Sequence, residues 1–250
     1  MGSIMVLGDS LSFYDETGGL AADDKRIWPN IVGAELGLDV ELFARIGWTS
    51  RDIWWAITQD PRIWAAVPHA DVLVLAFGGM DSLPSPLPTA FREQIRYVRP
   101  AKLREMVRGA YGWLQPRLSP IGWPMALPAA ETARYFEKIR AALAHLRPDL
   151  PIVVCLPSTH DSPYYGHAHP GRIATTVAIA EWAAEKGLPT IDWYPTTAEA
   201  FADPDVVMNP DGIHWSVQTQ RRIGELSVPV VRQALDARPE SVSEARPATV

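Results

Sequence analysis

The sequence predicts an α/β protein, a three-layer α/β/α sandwich, and three observations carry that prediction. Short apolar runs rich in Val, Ile and Leu recur five times, each too short for a typical helix. Helical patterns alternate with these runs, as the crossovers of a parallel sheet require. A length of 250 residues, 47% hydrophobic and 21% charged, suits one soluble domain with a substantial buried core.

The five runs are Ile4–Leu7, Val40–Ile46, Asp71–Phe77, Ile152–Leu156 and Thr190–Trp193. Helical patterns fall at Trp28–Leu36, Ser50–Ile57, Ala130–Leu146, Arg172–Lys186 and Val217–Leu235. Three stretches break the alternation and read as loop insertions, at 82–128, 159–171 and 196–210. The first carries many prolines around one candidate helix, Lys102–Leu114. In a parallel sheet such loops leave the carboxyl ends of strands, the edge where these folds bind ligands. Residues 1–236 are expected to form a single domain. The segment 237–250, "ARPESVSEARPATV", has almost no large apolar residue and is expected to be a mobile tail.

A formal net charge of -6 argues against nucleic acid or anionic membranes as general partners, so anionic ligands must be met locally. The single cysteine, Cys155, sits within the apolar run "PIVVCLPS" and excludes an intramolecular disulfide. No run of about 18 consecutive apolar residues occurs, so stable membrane insertion is not expected. Together these features lead to the expectation of a cytoplasmic protein.

The first apolar run breaks at Gly8-Asp9-Ser10. Ser10 reads either as a helix cap or as a nucleophile at the end of a strand, and the second role needs a base, normally histidine. "NPDGIHWS" supplies Asp211 and His214, three residues apart, between the last strand and the last helix. That spacing lets a carboxylate orient an imidazole, although each residue alone also reads as structural.

"GDSLS", a glycine after the second strand in "ARIGWTS", "GGMD" after the third and "DGIHW" near the end stand in this order over nearly the whole chain. In this combination the chain resembles the SGNH (GDSL) hydrolase superfamily. The resemblance implies a flavodoxin-like five-stranded sheet, Ser10 as nucleophile, His214 as base and then acid, and Asp211 as its orienter. It also implies an oxyanion hole of the Ser10 and Gly47 amides and an asparagine side chain. Met80 stands where that asparagine belongs, and a thioether has no donor. Losing one oxyanion donor costs about 10²–10³ in rate when nothing replaces it. Either another group, such as the Gly79 amide or a nearby side chain, has moved in, or an activated acyl donor such as a thioester needs less help.

More narrowly, the combination resembles a group of bacterial acyltransferases within that superfamily whose third block lacks the asparagine. That resemblance implies an octanoyl-CoA donor, a glucosylglycerate-type acceptor and a place in methylglucose lipopolysaccharide biosynthesis. No cofactor is expected beyond acyl-CoA as co-substrate. A carbohydrate or small-ester esterase using the same serine, and a noncatalytic glycan-binding protein, are the alternatives.

Candidate substrate contacts are Asp9, Trp48, Asp81 and Trp215 around the blocks. Arg99, Lys102 and Arg104 belong to a locally basic stretch, "FREQIRYVRPAKLREMVRG", suited either to phosphates or to a solvated helix face. The sequence "STHDSPYYGHAHPG" gathers His160, Asp161, His167 and His169, without the regular spacing of a structural zinc site. It reads as an acceptor-contacting or exposed loop, and no metal is expected.

Overall fold

A computed structural model describes residues 2–85, 94–122 and 124–237. The expected tail from 238 onward, the basic-stretch residues Arg92 and Glu93, and Trp123 lie outside the described residues.

Five parallel strands form the sheet: β1 (Ser3–Asp9), β4 (Asp39–Arg45), β5 (Ala70–Ala76), β6 (Ile152–Leu156) and β7 (Thr190–Asp192), in the order β4-β1-β5-β6-β7. The small antiparallel pair β2 (Tyr14–Asp15) and β3 (Gly18–Gly19) stands apart from it. Alternation along the strands assigns the faces. Met5 and Leu7 of β1, Leu73 and Leu75 of β5, and Val154 and Leu156 of β6 pack on one side. Ile4 and Val6, Val72 and Val74, and Val153 and Cys155 pack on the other. Burial on both faces is what a parallel sheet between helical layers demands.

The first face is covered by α2 (Ser50–Gln59), α3 (Pro61–Ala66), α5 (Ala129–Ala144) and α6 (Arg172–Glu185), through Ile53, Ile63, Phe136 and Ile179. The second is covered by α1 (Trp28–Leu36) and α8 (Val217–Asp236), through Trp28, Val32, Ile223 and Val231. These two layers and the sheet make the expected α/β/α sandwich.

Two departures have local causes. The segment read as an insertion at 196–210 begins as helix α7 (Tyr194–Ala202), where Pro195 occupies the first turn and Thr197 and Ala200 are buried three residues apart. The helix in the first insertion, α4 (Ala101–Leu118), runs four residues beyond the expected end despite Pro116. Near its end Gln115 is buried and its amide donates to the Pro84 carbonyl at 2.8 Å, anchoring that turn.

Register places the site. β1 lies between β4 and β5, with Gly8 opposite both Ala44 and Ala76. The turns carrying Ser10, Gly47 and Gly79-Met80 therefore leave one sheet edge side by side. Helix α2 begins immediately after the Gly47 turn through a capping box, in which the Thr49 side chain accepts the Asp52 amide and the Asp52 carboxylate accepts the Thr49 amide. Gly47 itself has φ +71°, a left-handed conformation that glycine adopts without steric cost.

One buried side chain of α8 holds the turn after Ser10. Gln220 donates to the carbonyls of Leu11 (3.0 Å) and Tyr14 (2.8 Å), and its carbonyl accepts the Trp28 amide at 3.0 Å. Each backbone group it serves would cost about 1–3 kcal/mol if left buried without a partner.

Candidate active site

β1 ends in a short 3-10 turn, Ser10–Ser12, whose cap is Asp9: its carboxylate accepts the Leu11 amide at 3.0 Å. The turn lifts Ser10 off the strand end while leaving it buried. His214 reaches it from the segment before α8, a helix begun by Ser216, whose hydroxyl accepts the Thr219 amide. Ser10 Oγ lies 2.8 Å from His214 Nε2, across 204 residues of sequence. His214 Nδ1 lies 2.5 Å from Asp211 Oδ2. With Nδ1–H donating to the carboxylate, the Nε2 lone pair is left to accept the serine proton.

Asp211 is fixed in turn by its own loop, because Oδ1 accepts the amides of Ile213 (2.8 Å) and His214 (3.0 Å). Partial burial pushes its carboxyl up, but those two amides and the imidazole outweigh it and hold the group below the usual carboxylate range.

Tyr14 stacks on the His214 ring with centroids 4.3 Å apart. It stands on the β2–β3 hairpin, where Asp15 accepts the amides of Thr17 and Gly18. Asn209 donates to the Asp15 carbonyl at 2.8 Å, and Glu16 accepts the Val217 amide at 2.6 Å. The hairpin is thus tied on both sides of the histidine. Nothing in the sequence marks Tyr14, because two-residue strands carry no periodicity.

Met80 sits beside Gly47 at the position of the absent asparagine: a β-carbon on Gly47 would meet Met80 Cε at 4.0 Å. Gly79 has open space on its α-carbon and lines the Ser10 cavity together with Met80 and Leu83.

The candidate substrate contacts fare unevenly. Trp215 is fully buried and packs edge-on against Trp193, with centroids 5.3 Å apart; it is a core residue with no surface to offer a substrate. Asp81 is also fully buried and accepts the Ser50 amide at 2.9 Å, so it ties α2 to the third loop instead of meeting a ligand. Burial raises its carboxyl to about 6 against the Ser50 hydrogen bonds. Asp9 caps the serine turn from inside. Trp48 lines an open groove with Arg45, Arg51 and Trp55 and is not part of the Ser10 cavity wall. Arg99 and Lys102 are exposed and Arg104 half-buried near the start of α4; none of the three lines that cavity.

The histidine loop is less exposed than its composition suggests. His167 pairs with Asp161 at 2.7 Å on the surface, whereas His160 is buried and packs tilted against His169 with centroids 4.3 Å apart. Among the described residues no three His, Cys, Asp or Glu side chains converge as metal ligands would. The loop is sewn to the Asp211–His214 segment: the Asp161 amide donates to the Gly212 carbonyl (2.8 Å), and the Ser162 hydroxyl to the Asp211 carbonyl (2.6 Å). Gly212 has φ +68°, and a β-carbon there would lie 2.3 Å from the Asp161 carbonyl oxygen, so only glycine permits this approach.

Burial, opposed by the Leu11 hydrogen bond and reinforced by Asp81, raises the Asp9 carboxyl from 3.8 to about 7. An unfolded chain gives up that proton near pH 4 while the folded one keeps it to about pH 7, so unfolding releases a proton between these values. The native state accordingly loses stability as pH rises through that window, by on the order of a few kcal/mol, and loses no more above it. Asp9→Asn keeps the acceptor for Leu11 and removes the titration. In thermal melts its Tm is expected to gain on the wild type by several degrees between pH 4 and pH 8. Parallel pH profiles for the two proteins would show that Asp9 ionises normally.

A serine–imidazole–carboxylate relay at the carboxyl edge of a parallel sheet defines the class. The family model described as GDSL-like Lipase/Acylhydrolase matches residues 6–222, and the chain belongs to that family and is an enzyme. Its sequence is 53% identical over 232 residues to the diglucosylglycerate octanoyltransferase of Mycolicibacterium hassiacum, covering 93% of this chain and 95% of the relative. It is 51% identical to the protein of the same name from Mycobacterium tuberculosis, covering 93% of each. The fold is similar to that of a lipase/acylhydrolase from Enterococcus faecalis, with TM-score 0.61, 15% identity and coverage of 96% of this chain and 98% of that one.

Proposed function

We propose that this enzyme transfers an octanoyl group from octanoyl-CoA to a hydroxyl of a glucosylglycerate-type acceptor through an acyl-serine intermediate on Ser10. The contact between Ser10 Oγ and His214 Nε2 at 2.8 Å carries the mechanism; relatives 53% and 51% identical, each named for octanoyl transfer to diglucosylglycerate, support the substrates.

Ser10 Oγ attacks the thioester carbonyl, forming the Oγ–C bond as its proton passes to His214 Nε2 and the carbonyl π pair moves onto oxygen. The amides of Ser10, Gly47 and Gly79 are the candidate backbone donors to that oxygen. Collapse restores the carbonyl and breaks the C–S bond, and the coenzyme's sulfur leaves with the proton from His214. The acceptor hydroxyl then gives its proton to His214 as its oxygen bonds the acyl carbon. A second collapse breaks the Oγ–C bond and returns the proton to Ser10. Asp211 stabilises the imidazolium in both halves.

The basic start of α4, with Arg99, Lys102 and Arg104, is the candidate receiver of the coenzyme's phosphates. On this reading acyl-CoA is a co-substrate, no cofactor is needed, and the reaction belongs to the cytoplasm and to methylglucose lipopolysaccharide biosynthesis. Hydrolysis shares the first half-reaction, so the test lies in the second. Radiolabelled octanoyl-CoA offered with diglucosylglycerate should label the sugar, with little free octanoate. Octanoate released at one rate with and without the sugar would replace the transferase by an esterase.

A further inference from the structure

The Ser10 cavity holds a buried donor that the Ser10–His214–Asp211 relay does not use. His160, only 9% exposed, lines that cavity together with Ser10, Gly79 and Met80. Its Nδ1 accepts the Ser162 amide at 3.2 Å, which leaves the ring proton on Nε2. Nε2 is buried and has no partner among the described residues. A buried N–H without an acceptor is costly in a folded protein and calls for an explanation in function or in a ligand.

The ring is also held from behind. The Ser82 hydroxyl donates to the Gly79 carbonyl at 2.6 Å, so at its 2.7 Å contact with His169 Nε2 it accepts. His169 therefore carries its proton on Nε2 and leaves a buried Nδ1 lone pair with no partner among the described residues, while its ring packs tilted against that of His160. Through this chain the histidine loop is coupled to the Gly79-Met80 turn, and through Asp161 and Ser162 to the Asp211–Gly212 backbone. His160 is thus braced against both loops that flank the nucleophile.

Resting on the acyl-serine reading, we infer that the neutral His160 Nε2–H is the side-chain oxyanion donor of this enzyme, taking the role that the Met80 thioether cannot fill. The imidazole donates a hydrogen bond to the carbonyl oxygen as it gains charge and transfers no proton. Burial, set against the nearby Asp161 carboxylate, drives the His160 imidazole down to about 4, so it stays neutral and fixed as a donor across the working pH range. His169, driven down to about 2 chiefly by burial and further by the Arg172 guanidinium, stays neutral as well. His169 is a positioning residue.

The test is the burst of p-nitrophenolate when the full-length enzyme meets p-nitrophenyl octanoate without any sugar acceptor. His160→Ala and His160→Met should acylate about 10²–10³-fold more slowly, with little change in ester affinity. His160→Gln, whose amide N–H reaches the Nε2 position, should remain within about tenfold of wild type, and Met80→Asn added to His160→Met should recover part of the loss. A His160→Met enzyme with an unchanged near-ultraviolet circular dichroism spectrum and near wild-type acylation overturns the assignment. Ser10→Ala run in parallel separates the two ideas, since a burst surviving there overturns the acyl-serine reading itself.

A measurement on the unmutated protein guards against variants that fail to fold. With ¹⁵N-labelled histidine, phosphonylation of Ser10 by an alkyl fluorophosphonate puts a phosphonyl oxygen where the oxyanion forms. The His160 Nε2–H proton should then move downfield, and an unmoved resonance overturns the assignment.

Discussion

Ser10→Ala and His214→Ala are each expected to lower octanoyl transfer by about 10⁴–10⁶, and the double variant should be no slower than the worse of the two. The reason is mechanical. A serine hydroxyl at neutral pH is a weak nucleophile until the imidazole 2.8 Å away takes its proton, and that imidazole has nothing to deprotonate once the hydroxyl is gone. Both variants should remain folded, because Ser10 and His214 are small contributors to the core. Turnover with octanoyl-CoA, and covalent labelling by an alkyl fluorophosphonate, are the two readouts. A double variant slower by the product of the single losses would mean that the residues act independently, and the relay would be abandoned.

Asp211→Asn is the next largest expected effect, a fall in kcat of about 10⁴ with little change in KM. The asparagine carbonyl can still accept the Ile213 and His214 amides, so the turn survives. Its amide then faces His214 Nδ1 as a donor, which forces that nitrogen to accept and moves the ring proton to Nε2. The base is then blocked at the nitrogen that faces Ser10. With Asp211 40% exposed at the side chain, the exchange should shift Tm by no more than a few degrees. Asp211→Asn within about tenfold of wild type would show that the carboxylate does not set the tautomer.

The sheet was legible because parallel strands buried on both faces leave short, unbroken apolar runs. Each of the five expected strands lies within a residue or two of its place. The juxtaposition of Ser10, His214 and Asp211 was legible for a related reason: Asp211 and His214 fall in a turn between two recognisable elements, where sequence distance and space agree. The features that escaped have contacts that sequence distance hides. Trp215 follows His214 directly, yet the chain turns it into the core against Trp193. Tyr14 depends on a hairpin of two-residue strands, and α7, only nine residues long, falls mostly inside the stretch read as an insertion at 196–210. His160 read as part of a polar loop because the rings packed against it, Tyr165 and His169, lie in the same irregular segment, which no local pattern announces.

The grip of Gln220 on the turn that follows the serine also sets an order of events during synthesis. Ser10 leaves the ribosome first, but the imidazole it meets stands 204 residues later and the clamp later still. At ribosomal speeds that interval is roughly 10–40 seconds. Throughout it the nascent chain carries the serine hydroxyl without that imidazole. On the acyl-serine reading, a chain cut short before Asp211 would carry that hydroxyl with neither imidazole nor carboxylate to activate it.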